Sequence, residues 1–269
     1  MSTTPRRKAR LAALLLLLAA ATPAFAAMQA QPVAWSIGDD AFSGYLVYDD
    51  ASSDLRPGLV MVPNWMGVTD EAVAKARQVA GDDYVVLLAD VYGRDVRPKD
   101  AAEAGRIAGE LRNGPDRAVL QARMDAALDA LKAQAGSAPL DVARLGAVGF
   151  CFGGSAVLEL VRMGRELGGV VSLHGGLATP VPAPAGSART PLLVLNGAAD
   201  TLVSREEIDA FGREMDAAGA DWQFVNFGGA VHCFAEEGAD SPGCTFDPLA
   251  ARRAAVMMEN FFDQAFTAD

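Results

Sequence analysis

From residue 27 onward, short continuous apolar runs alternate with longer segments whose apolar positions recur every three or four residues. Residues 33–37 and 42–48 read as an antiparallel hairpin around Gly38-Asp39-Asp40, residue types that accept turn conformations. The runs at 59–62, 84–89, 145–150, 170–174, 192–196 and 222–227 are apolar in character, as strands buried on both faces are. Between them, 69–80, 115–134, 153–162, 204–217 and 248–266 carry helical spacing. Thr69-Asp70-Glu71 puts a capping hydroxyl and two carboxylates at one helix start. A hairpin followed by strand-helix alternation predicts an α/β fold, with a mainly parallel central sheet, an antiparallel N-terminal hairpin and helices on both faces. The Pro- and Gly-bearing stretch 179–191 has the same alternation on either side. It therefore reads as a surface loop inside one domain, 27–269, and not as a linker.

The first 26 residues follow another pattern. Arg6, Arg7, Lys8 and Arg10 precede an apolar run from Leu11 to Ala21, then Thr22-Pro23 and the small-x-small triplet Ala24-Phe25-Ala26. This is the layout of a signal peptide cleaved after Ala26, because the run is about 11 residues long where roughly 20 are needed to cross a bilayer. Lys8-Ala9-Arg10 departs from the twin-arginine pattern that Arg6-Arg7 suggests, so the general secretory route is expected. The mature chain is predicted to be exported, periplasmic or secreted, with no stable membrane anchor. The formal charge of the whole chain is -11; cleavage leaves 19 basic against 34 acidic residues, or -15. Such acidity repels a phosphate backbone and excludes nucleic acid as a partner.

Candidate chemistry concentrates in Gly149-Phe-Cys151-Phe-Gly153-Gly154, where a predicted strand runs into a predicted helix. A nucleophile flanked in this way sits on a sharp turn that lifts its side chain above the sheet. The helix terminus behind it favours a thiolate and offers the Phe152 backbone N–H to a developing oxyanion. The bland alternative is a buried cysteine at an ordinary strand end. A thiol nucleophile needs a base and a group that orients the base. Asp200 stands at the exit of the predicted strand 192–196, and His232 follows the strand 222–227. Folds built on this turn carry the acid and then the histidine in that order. Alone, Asp200 would read as a helix cap and His232 as a loop histidine; together with Cys151 they form a triad.

On these residues the chain resembles the dienelactone hydrolase family of α/β-hydrolases, over residues 33 to 266. The resemblance implies a carboxylester or lactone hydrolase working through an acyl-enzyme on Cys151, with a small-molecule ester or lactone as partner. It also implies a second oxyanion donor in the loop 63–68, on the Trp65 backbone. Two family features differ. The glutamate that interacts with the thiol corresponds to Asn64, which cannot take a proton. Of the two arginines that bind a substrate carboxylate, one corresponds to Arg94 and the other to Glu236. A carboxylate at 236 would repel an anionic substrate, so a neutral ester or lactone is expected. His174 ends a strand at the carboxyl edge of the sheet and reads equally as a pocket residue or as a histidine bonded to nearby backbone.

Of three cysteines, Cys233 and Cys244 are close in sequence and Cys151 is remote. In an exported protein a Cys233–Cys244 disulfide would leave Cys151 as the free thiol and hold His232 in place. Two reduced, buried cysteines remain open as an alternative, as does a bridge from Cys233 to Cys151 that would switch activity off. With neither metal-ligand spacing nor a phosphate loop in the sequence, no metal and no cofactor are expected. The same residues also admit acyl transfer, or a catalytically silent binding or thiol redox-sensing protein. Oligomeric state has no sequence signal.

Overall fold

The computed structural model describes residues 28–114 and 117–267. The predicted signal peptide lies outside the described residues. The predicted hairpin is longer than its apolar runs: β1 (Met28–Ile37) and β2 (Asp40–Asp49) pair antiparallel along their whole length around a turn at Gly38. Gly38 has φ 56°, a conformation that costs a residue without Cβ little. β3 (Arg56–Val62), β4 (Val85–Leu88), β5 (Leu140–Phe150), β6 (Gly169–Leu173), β7 (Leu192–Gly197) and β8 (Trp222–Phe227) complete an eight-stranded sheet. Its spatial order is β1-β2-β4-β3-β5-β6-β7-β8. Every pairing from β4 to β8 is parallel, while β2 meets β4 antiparallel.

Alternate residues of the buried strands feed two cores. Val60 and Val62 of β3 face one with α3 (Ala118–Lys132), α4 (Phe152–Arg162) and α5 (Arg205–Ala218). Leu59 and Met61 face the other with α1 (Asp70–Ala80) and α6 (Pro248–Thr267). This two-sided burial explains why the central strands are apolar at successive positions. The terminal strand β8 is half-exposed along most of its length, unlike the buried strand expected at 222–227. An edge strand has a neighbour on one side only, and β8 lies at the edge. Thr69 caps α1 as predicted, its hydroxyl accepting the Ala72 N–H at 3.2 Å.

One helix is absent from the sequence reading. α2 (Ala101–Asn113) follows β4 and is started by Asp100, whose carboxylate accepts the Glu103 N–H at 2.9 Å. A two-stranded hairpin, β9 (Asp240–Ser241) and β10 (Cys244–Thr245), was also not anticipated. After β4 the chain crosses to the far side of β3 to lay down β5. The carboxyl ends of β3 and β5 therefore flank the point where strand order reverses, the usual place for a ligand crevice in an open α/β sheet.

Candidate active site

Cys151 stands at that point, between β5 and α4, with φ 54° and ψ -116°. An L-residue there is strained, as expected of a nucleophile presented on a tight elbow. The Cys151 N–H donates to the Leu173 carbonyl at 3.0 Å and to His174 Nδ1 at 3.1 Å, which holds the elbow against the end of β6. A Cβ at Gly153 would lie 2.0 Å from the Val62 carbonyl oxygen, and one at Gly149 would lie 2.1 Å from the Gly153 carbonyl oxygen. These glycines let α4 start directly against the ends of β3 and β5.

The three residues singled out by order along the chain meet in space. His232 Nε2 lies 3.1 Å from Cys151 Sγ, and its Nδ1 lies 2.7 Å from Asp200 Oδ2. Asp200 follows β7, its backbone tied to Gly197 and its other oxygen accepting the Leu202 N–H at 2.8 Å. Both Asp200 and His232 are buried. Burial alone would lower the His232 pKa; hydrogen bonds to Asp200 and Cys151, and the negative charges of both, outweigh it and raise the pKa to about 10. His232 is thus held protonated between a carboxylate and a sulfur.

His232 is also anchored through its main chain. Its carbonyl accepts the Thr245 N–H at 3.1 Å, and the next residue, Cys233, is disulfide-bonded to Cys244. Cys151 is the free cysteine. Cys233 has φ 61°, so the chain reverses sharply just after the imidazole.

A cleft of about 220 Å³ opens over the sulfur, walled by Trp65, Phe152, Val203 and the α2 residues Gly105, Ala108, Gly109 and Arg112. Phe152 is the first residue of α4, so its N–H has no helical carbonyl to meet. Trp65 lies in the turn after β3, where the Asn64 side-chain oxygen accepts the Met66 N–H at 3.0 Å and the Asn64 carbonyl accepts the Gly67 N–H. Tyr92 joins the two segments: its hydroxyl donates to the Trp65 carbonyl at 2.9 Å, and its ring packs on Phe152 at 5.2 Å between centroids. Burial, with the charges of Cys151 and Asp90, raises the Tyr92 pKa and keeps this donor protonated. The sequence reading did not single out Tyr92. Asp90, whose carboxylate accepts the Tyr92 and Gly93 N–H groups, is the turn signal that marks it.

A scan against family models matches residues 42–266 to the dienelactone hydrolase family. The chain belongs to that family. It is a hydrolase of ester or lactone bonds, and its partner is a small-molecule ester or lactone. A Salmonella typhimurium protein provisionally named a carboxymethylenebutenolidase is 27% identical over 208 residues, 74% of this chain and 75% of its own. An uncharacterized Caenorhabditis elegans protein is 35% identical over 160 residues, 55% of this chain and 94% of its own. Among solved structures, a dienelactone hydrolase-like promiscuous phosphotriesterase from metagenomic libraries superposes with a TM-score of 0.82 at 37% identity, over 89% of this chain and 99% of its own.

The substrate-contact positions suggested by resemblance do not converge on the cleft. Arg94 is exposed, its N–H tied to the Ala41 carbonyl. Asn64 and Glu236 line a separate cavity of about 340 Å³ with Lys75 and Phe150. There the Lys75 ammonium lies 3.5 Å from the Glu236 carboxylate and 4.7 Å from the Phe150 ring centre. Burial raises the Glu236 pKa, opposed by Lys75, Asn64 and His232. The geometry thus seats Glu236 behind the turn that follows β3, where it lines no part of the cleft over Cys151. His174 is fully buried; burial first, then the charges of His232 and Lys75, lowers its pKa, so it stays neutral and acts as acceptor for the Cys151 N–H.

Cys151, His174 and His232 bring one donor atom each within 4.8 Å of one another, a soft donor set. In the geometry described, His232 is engaged with Asp200 and Cys151 and His174 Nδ1 with the elbow N–H, while His174 Nε2 is buried without a partner among the described residues. A cation there would have to replace the contact between Cys151 and His232.

Proposed function

We propose that the protein is an exported hydrolase that cleaves carboxylic esters or lactones through a thioester on Cys151. The observation that carries this reading is the hydrogen-bonded row from Asp200 through His232 to Cys151. The Cys151 thiolate attacks the carbonyl carbon, forming a C–S bond as the carbonyl electron pair moves to oxygen. The Phe152 and Trp65 N–H groups receive that oxyanion. The intermediate collapses, the C–O bond to the alcohol breaks, and protonated His232 gives its proton to the departing oxygen. Water then attacks the thioester while His232 takes its proton; the C–S bond breaks and the acid leaves. Asp200 keeps the imidazole oriented and stabilises its charge throughout. In a lactone the alcohol stays attached to the acid, so the two leave as one hydroxy acid.

The test is hydrolysis of short-chain aryl esters by wild type, Cys151→Ala and His232→Ala. Wild type is expected to exceed both by at least roughly a thousandfold. Wild-type activity no higher than that of Cys151→Ala would overturn the reading.

Export is supported by the pattern of residues 1–26 and by the Cys233–Cys244 link, since disulfides persist in oxidising compartments. N-terminal sequencing of the native protein is expected to begin at Ala27. A chain that keeps Met1 in the cell interior would refute export.

A further inference from the structure

We infer that Cys151, His174 and His232 together form a binding site for zinc or a similar borderline divalent cation, and that occupying it reversibly shuts down the row from Asp200 to Cys151. The inhibitory half of this inference rests on the hydrolytic reading above; the binding half stands apart from it.

The chain has two histidines and three cysteines. Cys233 and Cys244 are joined to each other, so both imidazoles and the free thiol meet in a single cluster, one donor atom from each within 4.8 Å of the others. No motif spacing reveals the cluster, because its members follow three separate strands: Cys151 follows β5, His174 follows β6 and His232 follows β8. A sulfur with two imidazoles suits zinc, whereas magnesium and calcium take oxygen ligands.

The surroundings of each donor fit that role. Asp200 Oδ2 holds His232 Nδ1 at 2.7 Å and so aims Nε2 at Cys151 Sγ. A metal-bound imidazole ordinarily carries such a carboxylate on its other nitrogen, which fixes the ring and raises its basicity. His174 is fully buried, and its Nε2 meets no hydrogen-bond partner among the described residues. The ring is held through Nδ1, which accepts the Cys151 N–H at 3.1 Å, and the same N–H also reaches the Leu173 carbonyl at 3.0 Å. Giving Nδ1 to a cation therefore leaves that N–H paired. In a tetrahedral site, bonds of about 2.3 Å to sulfur and about 2.1 Å to nitrogen put those two donors about 3.6 Å apart. Sγ and His232 Nε2 now stand 3.1 Å apart, so a small opening admits the ion. The fourth position would face the cleft over Cys151, which gives the ion its way in.

On binding, one bond forms to sulfur and one to each imidazole, the proton between Cys151 and His232 leaves to solvent, and no electrons are transferred. The sulfur lone pair is then held by the metal, and His232 Nε2 can neither give nor take a proton. Both acylation and hydrolysis of the thioester stop until a chelator removes the ion.

The test uses untagged wild type, stripped with a chelator and dialysed against Zn2+. It is expected to retain a single zinc, and Cys151→Ala none. His174→Asn, which tolerates the backbone at that position, should bind at least roughly tenfold more weakly, since even the loss of a group that only orients a ligand costs that much. Co2+ in place of zinc should give wild type a thiolate-to-cobalt charge-transfer absorption that Cys151→Ala lacks. Saturating zinc should lower aryl-ester hydrolysis at least roughly tenfold, with recovery in EDTA, while Mg2+ and Ca2+ leave it unchanged. No retained zinc, equal retention by Cys151→Ala, wild-type affinity in His174→Asn, or full activity of the zinc-loaded protein would each overturn the inference. Should His174→Asn not fold, X-ray absorption at the zinc edge of wild type decides: one sulfur and two imidazoles are expected, and a shell with one imidazole overturns the assignment. Zinc held by these residues in a protein inactive on every ester, with or without the ion, would support the site while sinking the hydrolytic reading and the inhibition that rests on it.

Discussion

Replacing Cys233 and Cys244 together by serine removes the link beside His232 and leaves Cys151 untouched. The two cysteines are 11 positions apart. A cross-link closing a loop of that length restricts the unfolded chain by about 3 kcal/mol. For a protein of this size that corresponds to a fall in Tm of roughly 5–10 °C. The native loop keeps other ties: the Thr245 N–H to the His232 carbonyl, Phe246 to Ala239, and Asp247 to Phe234. His232 should therefore stay near its place, with the left-handed residue 233 now free to relax, and kcat should fall by a modest factor, roughly two- to tenfold. Thermal unfolding and aryl-ester hydrolysis, both without reductant, measure the two effects. Reducing wild type should reproduce them, and the double variant should not respond to reductant. A double variant that melts with wild type would refute the entropic argument; unchanged kcat alongside a lowered Tm would refute the positioning of His232 by the link.

Three further outcomes are expected. Because His232 is raised to about 10 by Asp200 and Cys151 against the opposing effect of burial, hydrolysis should decline as pH rises through that value. The stability those interactions contribute is complete below the unperturbed value near 6.5 and is lost over the same alkaline rise. Asp200→Asn should move the alkaline limb of the pH–rate profile down by at least about one unit, and a limb that stays put would contradict the cause assigned. Gly153→Ala would force its methyl against the Val62 carbonyl oxygen; it should lose about 2 kcal/mol or more in denaturant unfolding and most of its activity, since the elbow itself must shift. At position 174, with φ 39°, His174→Val should destabilise by about 1–3 kcal/mol, and His174→Asn, which tolerates that backbone, by less, as read from Tm.

Much of this architecture could be read from the order of residues. β8 has the predicted bounds 222–227, and the elbow and its two partners stand at strand ends where the chain order put them. α2 escaped because residues 101–113 are rich in Ala and Gly, with Ile107 and Leu111 as its large apolar residues. A hydrophobic period cannot emerge from a face made of glycine. Its signal was the start: Asp100-Ala-Ala-Glu103 is a capping pattern, with Glu103 Oε2 accepting the Lys99 N–H at 2.9 Å. Missing the helix also meant missing Arg112. The positions matched by family register, Asn64, Arg94 and Glu236, lie off the cleft over Cys151 for another reason. Register along a loop fixes where a residue falls in the chain, while the direction of its side chain depends on what packs around it. For Glu236 that is Lys75, contributed by a helix far away in sequence.

The two walls of the cleft differ in what they can become. Beside Cys151 the nearest neighbours of Gly149 and Gly153 are main-chain atoms, which no compensating side-chain change can move aside. Across the gap, the glycine stripe of α2 has a position facing empty space. Heritable change can reshape the second wall in single steps, each added methyl or ring trimming the range of accepted acyl or alcohol groups, without disturbing the first. A lineage carrying this fold can therefore exchange substrates along one helix face while its reaction stays fixed, and libraries aimed at new esters should be drawn at 105, 108, 109 and 112.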